Sequence, residues 1–145
     1  MQAVGIVVEY NPFHNGHLHH VTEAKRTTHS EVAIAVMSGQ FLQRGEPALV
    51  DKWHRTKMAL ASGVDIVIEL PYIFSTAQAR LFASGAVQLL EAMNCTHLAF
   101  GSEQGTITPF LNTYEVIENN RDEYNTIIKE HVQQGKSYPQ ALFIA

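Results

Sequence analysis

Four histidines crowd the stretch from His14 to His20, and two of them enclose a glycine in His14-Asn15-Gly16-His17. The string follows a short β-branched run and opens a segment with helical periodicity. A helix N-terminus presents unpaired N–H groups and a partial positive charge, a setting that suits phosphate. Gly16 has no Cβ, so a nucleotide can approach the backbone there. His14 and His17 are able to donate hydrogen bonds to a phosphoryl group as charge builds on it. That is transition-state stabilisation without a covalent intermediate. Taken alone, the spacing fits capping or surface histidines as well. Its place directly after a first strand is what favours chemistry.

Four apolar runs would position this string: residues 3–8, 32–37, 65–70 and 97–100. Each is short, rich in β-branched residues or alanine, and stopped by Pro or Gly, as in strands buried on both faces of a parallel sheet. Helical spacing predicts helices over 17–29, 49–62, 76–93 and 122–134. The second carries a stripe of Leu49, Trp53, Thr56 and Leu60; the third carries Phe82, Ala86, Leu89, Leu90 and Met93. Gly135 is the expected C-cap of the fourth. Residues 38–47 are polar and read as a long loop on the active face. Strand and helix alternating in this way predict an α/β fold, a Rossmann-like, doubly wound parallel sheet between helical layers. Such sheets bind ligands beyond the carboxyl ends of their strands, where strand order reverses.

The chain has 145 residues, sized for one domain, with 46% hydrophobic and 17% charged residues. That composition excludes a disordered tail. Ten Lys+Arg against 14 Asp+Glu leave a net charge of -4, so the chain is a poor stand-alone binder of tRNA or DNA. The single cysteine, Cys95, permits no internal disulfide and fits a reducing compartment. It reads as a small apolar residue, not a nucleophile. No apolar run approaches the ~20 residues of a membrane span, and no secretion signal is visible, so a cytoplasmic location without membrane contact is expected.

The longer string Gly5-Ile6-Val7-Val8-Glu9-Tyr10-Asn11-Pro12-Phe13-His14-Asn15-Gly16-His17 is far more specific than the histidine pair. It resembles the bacterial tRNA(Met) cytidine acetate ligase family, within the nucleotidyltransferase superfamily that shares an (H/T)-x-G-H motif with class I aminoacyl-tRNA synthetases. Val36-Met37-Ser38-Gly39-Gln40-Phe41, Gln43-Arg44-Gly45-Glu46-Pro47-Ala48, Asp51-Lys52-Trp53, Glu69-Leu70-Pro71, Phe100-Gly101-Ser102-Glu103 and Gly135-Lys136-Ser137-Tyr138-Pro139 extend the match. Family members are much longer. The resemblance implies that residues 1–145 are an N-terminal ATP-binding domain, with a C-terminal tRNA-binding region absent. It further implies activation of acetate by ATP as acetyl-adenylate, with Mg²⁺ on the triphosphate, and acetylation of the wobble cytidine of elongator tRNA(Met). ATP would lie along Val7, Val8, Glu9, Tyr10, Asn11, Pro12, Phe13, His14, Asn15, Gly16, His17, Leu18, His19 and His20, and would touch Gly101. Topology supports Gly101 separately, because the loop after the fourth strand should face the loop after the first.

Glu9 departs from the many small-molecule adenylyltransferases that carry a hydroxyl residue nearby; it would hold Mg²⁺ or orient a histidine. Arg44, Lys52 and Arg55 are candidate phosphate or tRNA contacts, with solvated surface charge as the plain alternative. Ser38 and Gly39 fit a site role or turn chemistry equally, and Glu103 fits a helix cap. The competing functions are a small-molecule nucleotidyltransferase, such as a mononucleotide adenylyltransferase, and a non-catalytic nucleotide-binding fragment. Two patterns fail. Gly135-Lys136-Ser137 lacks the first P-loop glycine, since Glu130 stands there. The histidine cluster has no Cys or carboxylate partners to complete a zinc set, so no metal site is expected.

Overall fold

The computed structural model describes residues 1–103 and 105–145. Two compact units make up the chain, Met1–Gly101 and Ser102–Ala145. The first contains β1 (Ala3–Val8), α1 (Asn15–Thr28), β2 (Val32–Ser38), α2 (Lys52–Ala61), β3 (Ile66–Leu70), α3 (Tyr72–Ser75), α4 (Ala79–Ala92) and β4 (His97–Ala99).

The four strands form one parallel sheet in the order β3-β2-β1-β4. Alternation along β2 sorts its side chains between two cores. Ala33, Ala35 and Met37 join Val4, Ile6 and Val8 of β1 against Val21 and Ala24 of α1 and Ala59 of α2. Ile34 and Val36 join Leu70 of β3 against Ala86 and Leu90 of α4. Helices therefore cover both faces, which is why the strands read as unbroken apolar runs. The chain steps outward from β1 to β2 to β3. It then returns through α4 to lay β4 on the other side of β1, so strand order reverses between β1 and β4. The doubly wound α/β sheet anticipated from the sequence is the fold observed.

Three expectations change. Helix α2 starts at Lys52, where the Asp51 carboxylate accepts from the Trp53 and His54 amides, and Leu49 precedes it. The stripe of Leu49, Trp53 and Leu60 faces outward, at 80%, 66% and 45% exposure, while Arg55 and Ala59 are buried. A small residue lets the helix approach the sheet closely, so apolar spacing alone picks the wrong face. The helix expected over 76–93 is the shorter α4, and α3 precedes it as a separate turn ending at Ser75. Residues 38–47 are a pinched turn, in which the Leu42 amide donates to Glu46 O at 2.9 Å and the Ala48 amide to Gln40 O at 2.9 Å.

The second unit holds α5 (Thr108–Asn119), α6 (Arg121–Gln133) and α7 (Tyr138–Ile144). Only α6 was anticipated. Pro109 and Pro139 sit in first turns, where a missing N–H costs nothing. Gly135, at φ +89°, ends α6, and the Lys136 amide donates back to His131 O at 3.1 Å. Among the described residues no helix is long and apolar enough to cross a membrane.

Candidate nucleotide site

Beyond Val8 the chain turns through Glu9–Phe13 before α1 begins. Tyr10 takes a left-handed backbone conformation (φ +50°), and its ring is buried edge-on to Phe13 and His17, with centroids 4.7 and 4.9 Å away. His14 is extended and serves as the N-cap of α1. Its Nδ1 accepts the Gly16 amide at 3.1 Å, and Nδ1 of His17 accepts the His14 amide at 3.3 Å. This is a reciprocal capping box built from two histidines. A Cβ on Gly16 would stand 2.9 Å from His14 Cε1, so the glycine is what lets the ring fold over the helix start. The two imidazoles stack with centroids 3.7 Å apart and planes 24° apart.

The capping bonds assign the tautomer. A neutral imidazole with Nδ1 accepting carries its proton on Nε2. Both rings therefore keep an Nε2–H as their donor, on the nitrogen opposite the one that caps. Burial, then His14 and His20, hold His17 below the ordinary histidine range; burial, then His19, does the same for His20. Both are neutral near pH 7.

A stability consequence follows. A histidine whose folded pKa lies below the unfolded value of about 6.5 makes the unfolded chain bind protons first as pH falls. The associated stability is complete above that value and is lost as pH drops through it toward the folded one. The melting temperature should fall on acidification from pH 7 to 5, and less steeply in a His17→Asn/His20→Asn variant. An identical acid slope in that variant would refute the assignment.

On the far side of β1, Ile6 pairs with Ala99, the last residue of β4, and Gly101 follows two residues later. A Cβ at Gly101 would meet nothing within 4 Å, and its φ is not positive. The fold itself does not need a glycine here. Gly101→Val should keep the parent melting temperature and lower ATP affinity about tenfold or more if a nucleotide packs on this backbone. Unchanged affinity by calorimetry would remove Gly101 from the site.

On the near side, Glu9 Oε1 accepts the Gln43 amide at 2.8 Å and Asn11 Oδ1 accepts the Leu49 amide at 2.7 Å. Glu9 thus ties the loop after β1 to the turn after β2. Leu18, His19 and Asn15 are exposed on α1, and His20 is half-buried. Arg44 is exposed at the tip of the turn, whereas Lys52 Nζ is paired with Glu69 at 2.6 Å. Arg55 is corrected from a surface contact to a buried one. It is wholly enclosed and donates to the carbonyls of Val50, Glu9, Ser38 and Gly39. Burial lowers its proton affinity, opposed by Glu9, Asp51 and Glu69, and a guanidinium keeps its charge regardless. Glu103 caps no helix, since α5 begins after Ile107. Capping by the histidines stood in the sequence only as the plain alternative to chemistry, and the Arg55 anchor was not foreseen. The one available signal for Arg55 was its place on the same helical face as Ala59.

Residues 1–145 match the family model described as HIGH Nucleotidyl Transferase. A tRNA(Met) cytidine acetate ligase from Lysinibacillus sphaericus is 64% identical over 145 residues, 100% of this chain and 36% of that protein. One from Bacillus subtilis is 57% identical over 145 residues, 100% of this chain and 35% of that protein. The crystal structure of Thermotoga maritima TmcAL bound with alpha-thio ATP superposes with a TM-score of 0.87 at 46% identity, covering 98% of this chain and 34% of that one. The chain spans about a third of the length of these relatives.

Proposed function

Since this chain belongs to the HIGH nucleotidyl transferase family, we propose that it is the ATP-binding part of a ligase that acetylates the wobble cytidine of elongator tRNA(Met). The observation that carries the reading is the stacked His14–His17 pair, two Nε2–H donors at a helix N-terminus beside the β1/β4 switch point. ATP lies along Val7 to His20 and against Gly101, and Mg²⁺ enters with the triphosphate as part of the substrate.

In the first step an acetate oxygen attacks the α-phosphorus. The new acyl–phosphate bond forms as the bond to pyrophosphate breaks, and negative charge moves onto the leaving phosphates. His14 and His17 donate to that charge. In the second step the cytidine amine attacks the acetyl carbon, AMP leaves, and the nitrogen loses a proton. A net charge of -4 gives these residues little hold on tRNA. Most tRNA recognition belongs outside them, with exposed Arg44 as a local contact. A cytoplasmic site of action follows from the substrate.

The test is acetate-dependent release of pyrophosphate from ATP by a full-length protein carrying this chain. Acetate should raise release at least tenfold over ATP alone. Release independent of acetate, with AMP passed to a mononucleotide, would replace this reading with that of a small-molecule nucleotidyltransferase.

A further inference from the structure

Beyond the carboxyl ends of β2 and β3 lies a cavity of about 160 Å³, bounded by Gly39, Gln40, Phe41, Glu69, Tyr72 and Ser75. That is the scale of one small ring, well under the roughly 300–1,000 Å³ of drug-sized pockets. Its frame is fixed. The Ser75 hydroxyl, itself buried, donates to Phe41 O at 2.7 Å. Arg55 holds the Ser38 and Gly39 carbonyls. Phe41 and Tyr72 meet edge to face at 5.7 Å and remain 40% and 66% exposed, so each keeps ring surface for stacking.

Glu69 gives the cavity its polarity. One carboxylate oxygen binds Lys52 Nζ at 2.6 Å. The other lies so close to Gly39 that a Cβ there would stand 2.3 Å from it. Gly39 is therefore the residue that admits this carboxylate. An acceptor group at the wall disfavours an anion such as acetate or phosphate and favours a ligand with N–H donors. Aromatic faces beside a carboxylate suit a flat amine-bearing ring, as when an acidic side chain accepts from the N4 amine of cytosine and an extruded base stacks on aromatic side chains. The cavity opens on the same end of the sheet as His14 and His17, and the Glu9–Gln43 bond joins the two loops.

We infer that this cavity seats an unpaired aminopyrimidine base of RNA, with Glu69 accepting from its exocyclic amine and Phe41 and Tyr72 offering ring faces. The inference rests on the tRNA-acetylating reading and adds where the acceptor base sits. Nucleotide occupies the β1/β4 side of the sheet end, and the base occupies the β2/β3 side.

The experiment is a ¹H–¹⁵N titration of this 145-residue chain with cytidine, uridine, ATP, acetate and a short cytosine-containing oligouridylate in turn. Cytidine should move the amide signals of Gly39, Phe41 and Tyr72 and bind at least tenfold more tightly than uridine. The oligonucleotide should bind more tightly than the nucleoside. Glu69→Ala should weaken cytidine binding at least fivefold. Tyr72→Ala should do the same, and truncating so exposed a ring leaves the fold intact. Equal binding of cytidine and uridine would overturn the inference, as would ATP or acetate moving these same signals. A nucleoside binding as tightly as the oligonucleotide would overturn RNA as the source. ATP shifts around His17 with no cytidine response would sink this inference and leave the nucleotide site standing. Loss of both responses would sink the proposed function and this inference with it.

Discussion

His14→Ala and His17→Ala are each expected to slow acetyl-adenylate formation by about 100-fold or more in a full-length protein carrying this chain. Each Nε2–H is pre-aimed by the bond at its Nδ1, so neither ring must reorient when charge moves onto the departing pyrophosphate. Loss of one such preorganised donor costs about 2.7–4 kcal/mol of transition-state stabilisation. The same substitutions remove a cap, and that alone costs about 0.5–2 kcal/mol of stability. The two effects separate cleanly. His14→Asn keeps an N-cap acceptor, and His17→Gln keeps a capping-box residue at the third helical position. Each keeps an amide NH2, but not a donor at the position of the imidazole Nε2–H. They should melt close to the parent and still exchange pyrophosphate into ATP as slowly as the alanine variants. The double variant should lose less than the product of the single losses, because the stacked rings act as a unit. Near-parental exchange by His14→Asn or His17→Gln would reduce the pair to caps.

Strands β1 and β2 were legible because burial on both faces leaves a run of Val, Ile and Ala that nothing else explains. The switch point agrees with the expectation that the loop after the fourth strand faces the loop after the first. The candidate site was legible as a pair of histidines after the first strand but not in its architecture. Periodicity carries no information about which ring nitrogen caps and which is left to donate. Helix α2 was misread because its sheet-facing side is made of Ala59 and Arg55, one too small and one too charged to register as a core face. Helices α5 and α7 were missed for a related reason. Phe110, Leu111 and Tyr114 of α5 are 46%, 57% and 63% exposed, so its apolar residues do not mark one buried stripe. Gly39 and Glu69 lie 30 residues apart in sequence, and only the β2–β3 pairing of Met37 with Glu69 brings them together.

Arg55→Met is expected to destabilise this chain by at least about 3 kcal/mol, which lowers the melting temperature by roughly 10 °C. Methionine fills much of the same volume, so the loss comes from hydrogen bonding and not from a void. The guanidinium donates to Val50 O at 2.8 Å, Glu9 O at 2.6 Å and Ser38 O at 3.0 Å, and also to Gly39 O. Each buried acceptor left without a partner costs about 1–3 kcal/mol, and relaxation recovers only part of it. Lysine should restore a fraction, since one ammonium cannot reproduce a planar fork spread over four carbonyls. Arg44→Ala is the control. An exposed charge at a turn tip should change stability by no more than about 0.5 kcal/mol. The consequence reaches the candidate site, because Arg55 fixes the backbone at Glu9, after β1, and at Ser38 and Gly39, at the end of β2. Below its melting transition, Arg55→Lys should therefore bind ATP several-fold more weakly than the parent while keeping its far-ultraviolet circular dichroism. A melting temperature for Arg55→Met within about 2 °C of the parent would mean that these carbonyls find other partners. The guanidinium would then not be what holds the two loops together.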